Sequence, residues 1–275
     1  MCCTRIWIKT IAAISVALLA EMRFALLGSG SEGNALVVQV GQTRVLLDCG
    51  FSLSETVSRL ARLGLQAEQL DGIVVTHEHG DHISGVARLA RKFNLPIWLT
   101  HGTLRTQSAA FAGLSVTEIN PHLAFVIGEV QVQPYPVPHD AAEPVQYVFS
   151  DGTRRLGVLT DSGGATPHIE AVLSGCHALV LECNHDARML AEGDYHYSLK
   201  QRVGGRYGHL NNADAAALLG RLDNSRLQHI VAAHLSRKNN ATDLAVAALS
   251  GVLGCAPDQV AVATQEQGLD WREIA

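Results

Sequence analysis

Paired cysteines, aromatic side chains and long apolar runs are all scarce in this chain. Its six cysteines form no C-x-x-C pair: Cys2 and Cys3 are adjacent, and Cys49, Cys176, Cys183 and Cys255 are scattered. A disulfide framework or zinc ribbon is therefore not expected, and the isolated thiols read as small buried hydrophobes in a reducing compartment. Aromatic residues make up 5% of the chain, which argues against an extended platform for stacking a single nucleic-acid strand. No apolar run is long enough to cross a bilayer, so stable membrane association is not expected. No repeat or low-complexity linker divides the chain. A formal charge of -5 argues against a surface that is basic throughout. What is there is a globular profile: 47% hydrophobic against 17% charged residues over 275 positions, enough for a large core.

Residues 1–21 stand apart. Arg5 and Lys9 precede a short apolar run over residues 11–20, the pattern of a signal peptide, but Leu18 occupies a place where a cleavage site wants a small residue. The alternative is an over-extended start with Met22 as the true first residue, because residues 23–27 read directly as a strand. Either way residues 1–21 are set outside the fold, and residues 22–275 are read as one domain. A cytoplasmic location follows from the second reading, export from the first.

From Met22 onward strands and helices alternate. Residues 35–40 and 44–48 read as a hairpin about Gly41 and Gln42. A helix is expected over 53–63 with a serine cap, a buried strand over 72–76, and a helix after residue 82 carrying Ile83, Val86, Ala87, Ala90 and Phe93. Strands are expected over 97–99, 124–126, 130–137, 145–149, 155–159, 178–182, 229–233 and, as the last, 260–263. Helices are expected near 167–173, 212–222 and 243–253. Residues 183–209 read as irregular and polar. This pattern suits an α/β fold of four layers, two packed mixed sheets with helices outside.

The densest chemistry lies in residues 76–82, Thr-His-Glu-His-Gly-Asp-His. Three imidazoles repel one another when protonated and are costly to bury unpaired; a shared cation resolves both problems. His77 and His79 leave a strand, and Asp81 and His82 follow in the turn that Gly80 permits, so each pair can aim at a separate point. Two ions bridged by a hydroxide fit that division, but four residues saturate neither ion. Further candidates stand at later strand ends: His139, Asp161 and His234, where a ligand is anchored by the sheet yet faces a cleft. Taken alone, His139 or His234 would be an ordinary hydrogen-bonded histidine and Asp161 a turn residue; the early cluster changes that reading. His101, His122, His168, His177 and His229 are read as surface or structural.

The seven-residue motif and the later His, Asp, His order resemble the H-x-H-x-D-H signature of the metallo-β-lactamase-fold hydrolases, over essentially all of residues 22–275. Residues 28–34 (Gly-Ser-Gly-Ser-Glu-Gly-Asn), 181–186, 208–212 and 233–236 resemble more closely the YycJ/WalJ-like, exonuclease-type subgroup. The resemblance implies the αββα metallo-β-lactamase fold, with His77, His79 and His139 on one ion, Asp81, His82 and His234 on the other, and Asp161 bridging. Asn211 stands where that subgroup has serine, which weakens the carry-over of its substrate.

Two divalent ions offset by Asp81, Asp161 and a hydroxide leave a positive centre in an acidic protein, one that draws anionic substrates and lowers the pKa of water. Asp161 would orient the nucleophile. Lys200, Arg202, Arg206 and Arg237, together with Asn211 and His209, are candidates for gripping phosphate; an ordinary solvated loop is the plainer account of them. The expected catalytic residues are Asp81, Asp161 and His209, and the expected activity is phosphodiester hydrolysis on nucleic acid, with zinc, manganese or iron as the metal. Three other readings stay open: a thioester or cyclic-phosphodiester hydrolase, a mononuclear iron oxygenase on His77, His79, His139 and Asp161, and a non-catalytic regulatory protein with a structural metal.

Overall fold

The computed structural model describes residues 21–275. The reading of the N-terminal segment as a leader or an over-extended start falls on residues outside these. In chain order the strands are β1 (Met22–Gly28), β2 (Ala35–Val40), β3 (Thr43–Leu47), β4 (Gly72–Val74), β5 (Ile97–Thr100), β6 (Val116–Ile119), β7 (Phe125–Ile127), β8 (Val130–Pro136), β9 (Val145–Ser150), β10 (Arg155–Leu159), β11 (Ala178–Glu182), β12 (His229–Ala233), β13 (Val260–Val262) and β14 (Leu269–Ile274). The helices are α1 (Leu53–Arg62), α2 (Gly80–Ile83), α3 (Val86–Phe93), α4 (His101–Phe111), α5 (Pro167–Leu173), α6 (Ala187–Glu192), α7 (Tyr197–Val203), α8 (Asn212–Arg221) and α9 (Thr242–Leu253).

Two seven-stranded mixed sheets result, ordered β14-β1-β2-β3-β4-β5-β6 and β13-β12-β11-β10-β9-β8-β7. Strand periodicity sends alternate side chains to opposite faces. In β2, Leu36, Val38 and Val40 enter the core between the sheets. Ala35 and Val37 enter the core beneath α1 and α3. The second sheet repeats this: Val231 and Ala233 of β12 face the first sheet. Ile230 and Ala232 pack toward Leu218 of α8 and Leu249 of α9. Three apolar cores thus separate four layers, the expected αββα sandwich.

Local signals explain most boundaries. Ser52 caps α1 by accepting from the Glu55 N–H at 3.3 Å. Gly41, at φ 54°, makes the β2–β3 turn. The helix expected after residue 82 is two pieces, α2 and α3, parted at Ser84 and Gly85; a Cβ on Gly85 would lie 2.0 Å from the Phe51 carbonyl, so the chain passes there at backbone contact. Two expectations are corrected, and one unread stretch is filled. Residues 183–209 hold two short helices, α6 and α7, in a stretch read as irregular. The chain continues past β13 into β14, which pairs antiparallel with β1. Helix α4 and strand β6 complete the β5 edge of the first sheet.

Candidate metal centre

The ends of strands from both sheets converge on one rim. The turn after β4 carries His77, His79, Asp81 and His82; the turns after β8, β10 and β12 carry His139, Asp161 and His234. Parallel pairing of β10, β11 and β12 brings those C-terminal ends side by side. Close passage of the chain fixes the first turn as well: a Cβ on Gly50 would lie 1.9 Å from the Asp81 carbonyl.

Hydrogen bonds on the far side of each imidazole set which nitrogen faces inward. Thr76 Oγ1 donates to Asp48 Oδ2 at 2.8 Å, so it accepts from His77 Nδ1 at 2.9 Å. His82 Nδ1 donates to Asp48 Oδ2 at 2.8 Å, and His139 Nδ1 donates to the Gly208 carbonyl at 3.0 Å. The Nε2 atoms of all three rings are left facing the centre. There His79 Nδ1 lies 3.0 Å from His77 Nε2 and 3.2 Å from His139 Nε2. On the other side, His82 Nε2 is 3.5 Å from Asp81 Oδ2, and His234 Nε2 is 3.4 Å from the same oxygen. Asp161 lies between the two groups, with Oδ2 3.0 Å from His82 Nε2 and Oδ1 3.9 Å from His139 Nε2.

These donors fit a metal on two counts. His77, His79 and His139 offer ligand atoms within 4.8 Å of one another, as do Asp81, His82 and His234. Asp161 Oδ2 and His234 Nε2 are buried with no hydrogen-bond partner, although buried polar atoms are ordinarily satisfied. His234 also has φ 54°, a conformation rare outside glycine; such strain persists where the surroundings over-determine it.

The electrostatics suit a shared cation. Burial pushes the His77 and His139 imidazoles down, so both are neutral donors. Burial would lower His82 too, but the carboxylates of Asp161, Asp81 and Asp48 outweigh it and hold the ring well above its usual range. His234, opposed by burial but facing Asp161, Asp81 and Glu182, is raised to about 10. Asp161 is held far below the carboxylate range despite burial, by His234 and His82. A cation at these nitrogens therefore competes with protons. Metal uptake should expel at least the His234 proton, and affinity should rise with pH until about 10. Calorimetry of zinc uptake in buffers of different ionisation enthalpy would read the protons released; uptake with no release would contradict this picture.

The cavity over the centre measures about 350 Å³, and Ser31, Tyr195, Leu199, Arg202 and His209 are among its walls. Glu182, unassigned in the sequence, lies behind it, with Oε1 2.7 Å from His209 Nδ1 and 3.3 Å from His234 Nδ1. Its other oxygen accepts from the backbone of Ser162 and Leu210. Asn34 was also missed: its amide lies 3.2 Å from His82 Nε2 and 3.4 Å from Asp81 Oδ2, while its carbonyl oxygen accepts from Ser29 Oγ, which itself accepts from the His234 N–H. A signal existed for the acids: Asp48 and Glu182 each end an apolar strand, where an unpaired charge would be costly.

The proposed substrate contacts divide. Arg202 and His209 line the cavity, Arg202 with its Nε 2.5 Å from Asp140 Oδ2. Lys200 and Asn211 line a different cavity, on the other side of α7. Asn211 caps α8, its oxygen accepting from the Asp214 N–H at 2.9 Å. Arg206 lies over the Tyr207 ring. Arg237 pairs with Glu32 and Glu266. Among the described residues no helix is long and apolar enough to cross a membrane.

The fold and this donor set define a metallo-β-lactamase-fold hydrolase, and comparison with known proteins agrees: the beta-lactamase superfamily domain profile matches residues 43–230. The chain belongs to the metallo-β-lactamase superfamily. Within it, the chain is 35% identical over 240 residues to the exodeoxyribonuclease YycJ of Bacillus anthracis, covering 84% of this chain and 89% of that one. It is 32% identical over 229 residues to the exodeoxyribonuclease WalJ of Streptococcus pneumoniae, covering 81% and 85%. The metallo-β-lactamase fold protein YhfI of Bacillus subtilis superposes with a TM-score of 0.73 at 18% identity, over 92% of this chain and 99% of that one.

Proposed function

We propose that this protein is a metal-dependent exodeoxyribonuclease, loaded with two zinc or manganese ions. The observation that carries the reading is the cavity that joins the donor cluster to the His209–Glu182 pair and Arg202; similarity to proteins named exodeoxyribonucleases supports DNA as the substrate class. His77, His79 and His139 would hold one ion, Asp81, His82 and His234 the other, with Asp161 shared. Such ions, when bound, lower the pKa of water and polarise a phosphoryl oxygen.

The chain's own residues do the rest. Arg202 offers its fork to a non-bridging phosphate oxygen, competing with Asp140 for it. Glu182 holds His209 by Nδ1, which leaves Nε2 for the cavity. Burial disfavours the charged ring, but Glu182 and Asp161 more than compensate, so His209 stays protonated above the usual histidine range. Its proton can pass from Nε2 to the departing sugar oxygen, and Glu182 then stabilises the ring's orientation.

Protein stripped of metal and reloaded with manganese or zinc should degrade end-labelled DNA. His209→Asn should cost about a hundredfold in kcat on DNA, and much less on an aryl phosphodiester whose leaving group needs no proton. Equal losses on both substrates would remove His209 from the proton step. Turnover of the simple diester with no attack on DNA or RNA would replace the nuclease reading by the small-phosphodiester one.

A further inference from the structure

A second cavity of about 490 Å³ lies on the far side of α7 from the metal centre, and the metal chemistry makes no use of it. That volume falls within the roughly 300–1,000 Å³ of small-molecule sites. The helix is the partition between the two. Leu199, Arg202 and Val203 look into the metal cavity. Tyr197, Lys200, Gln201 and Gly204 look into the second. Each set follows helical spacing, so the two cavities are about one helix diameter apart, roughly 10 Å.

The floor of the second cavity is built from the same backbone as the centre. His185 stands three residues after Glu182 and Asn211 two after His209, and the two are bridged to each other. His185 is buried, with Nδ1 3.3 Å from Asn184 Oδ1; Asn184 in turn donates to the His234 carbonyl at 3.1 Å. Burial holds the His185 imidazole below its usual range, so it is uncharged. Its Nε2 is the nitrogen that a Cβ on Gly204 would meet at 3.9 Å. The side wall is apolar, from Leu190 and its alanine neighbours.

Tyrosine placement adds a second, independent observation. The chain has five tyrosines. Tyr135 and Tyr147 are fully buried in the sheets. The other three fall within residues 195–207, where Tyr197 is 72% exposed and Tyr207 53% exposed. Lys200, Arg202 and Arg206 lie among them. The tyrosines that the sheets do not bury are thus gathered on a segment that lines the metal cavity. A largely apolar cavity, an exposed aromatic ring at its mouth, imidazole and amide groups on its floor and the Lys200 ammonium in its wall match a heteroaromatic ring attached to a phosphate.

We infer that this cavity takes a nucleobase of the substrate strand, near the scissile phosphate: Tyr197 stacks on the ring, His185 and Asn211 face its edge, and Lys200 meets the neighbouring phosphate. This rests on the nuclease reading and deepens it, because it makes the substrate a single-stranded end at that point, whose base must leave the duplex to enter the slot.

The test uses the full chain with metal removed by chelation, so that binding is read without cleavage. A single-stranded DNA oligonucleotide would carry the fluorescent base 2-aminopurine at the first, second or third position from either end. Quenching on binding is expected at one position from one end. Tyr197→Ala should lose it and weaken binding about tenfold, while Tyr197→Phe should keep it. Gly204→Leu, which projects a side chain into the slot toward Leu190 and His185, should lose it too. Binding by the wild type with no quenching at any position, or quenching retained in either the Ala or the Leu variant, overturns the assignment. A mononucleotide that quenches as well as the oligonucleotide shows a free-nucleotide site and overturns the strand assignment. The nuclease reading is tested separately, by DNA degradation by the reloaded wild type. Its failure there, with oligonucleotide quenching intact, would sink that reading and leave the base pocket standing.

Discussion

Asp161→Ala is expected to lower turnover of DNA and of a simple phosphodiester alike, by on the order of 10³-fold or more, with the fold intact. Its carboxylate lies between the two donor groups, with Oδ2 3.0 Å from His82 Nε2 in one and Oδ1 3.9 Å from His139 Nε2 in the other. No other carboxylate of the described residues reaches both groups of histidines, so nothing replaces it. The size follows from what a correctly held cation contributes, several kcal/mol of charge stabilisation, at about 1.4 kcal/mol per tenfold in rate. Metal content by mass spectrometry and a thermal melt belong beside the kinetics. Loss of activity with two ions still bound places the role in orienting the nucleophile, loss of one ion places it in holding metal, and full activity would sink the proposed centre.

Asp48→Ala should be the most damaging change away from the cavity, costing about 3–5 kcal/mol, the range for removing one member of a buried charged pair. Asp48 is 2% exposed and His82 0%. Its two oxygens accept from the Thr76 N–H, the Thr76 hydroxyl and His82 Nδ1, each at 2.8 Å. Truncation leaves three donors without an acceptor and frees the His82 ring to turn. A drop of roughly 10–100-fold in metal affinity should accompany it. Backbone conformation sharpens the comparison: Asp48 has φ 59°, which asparagine adopts more readily than alanine. Asp48→Asn should therefore keep the chain path and lose less stability. Denaturant unfolding and zinc titration of both variants would check this; two variants matching the wild type would show that the contact holds nothing.

Much of the sandwich was legible because its strands are apolar and its turns carry glycine, serine or proline. β10, β11 and β12 fall where the sequence puts them, and α5 starts at Pro167 behind a Thr166 cap. The polar stretch after β11 was opaque for a physical reason. α7 buries none of its residues, so no apolar stripe announces it. β14 was missed because Asp270, Arg272 and Glu273 are exposed and its buried Leu269 and Ile274 stand five positions apart, so no period of two marks it. At the centre, the seven ligand candidates were legible as residue types at strand ends. Asn34 was not, since a single amide carries no spacing signal until the fold sets it behind an imidazole; Asp48 and Glu182 offered only their places at the ends of apolar strands. Arg237 shows the converse. A cation three positions after His234 was counted toward the substrate, but two glutamates from distant loops, Glu32 and Glu266, occupy it.

The common direction of the strands that bear Asp48, Asp161, Glu182 and His234 has an architectural corollary. Every side chain given a chemical role stands on a single rim, and the turns on the opposite rim, such as those at Gly41, Gly128 and Gly175, bear none of it. Evolution or an engineer could lengthen, tag or dock those distal turns, and the working rim, a full strand length away, would not feel the change.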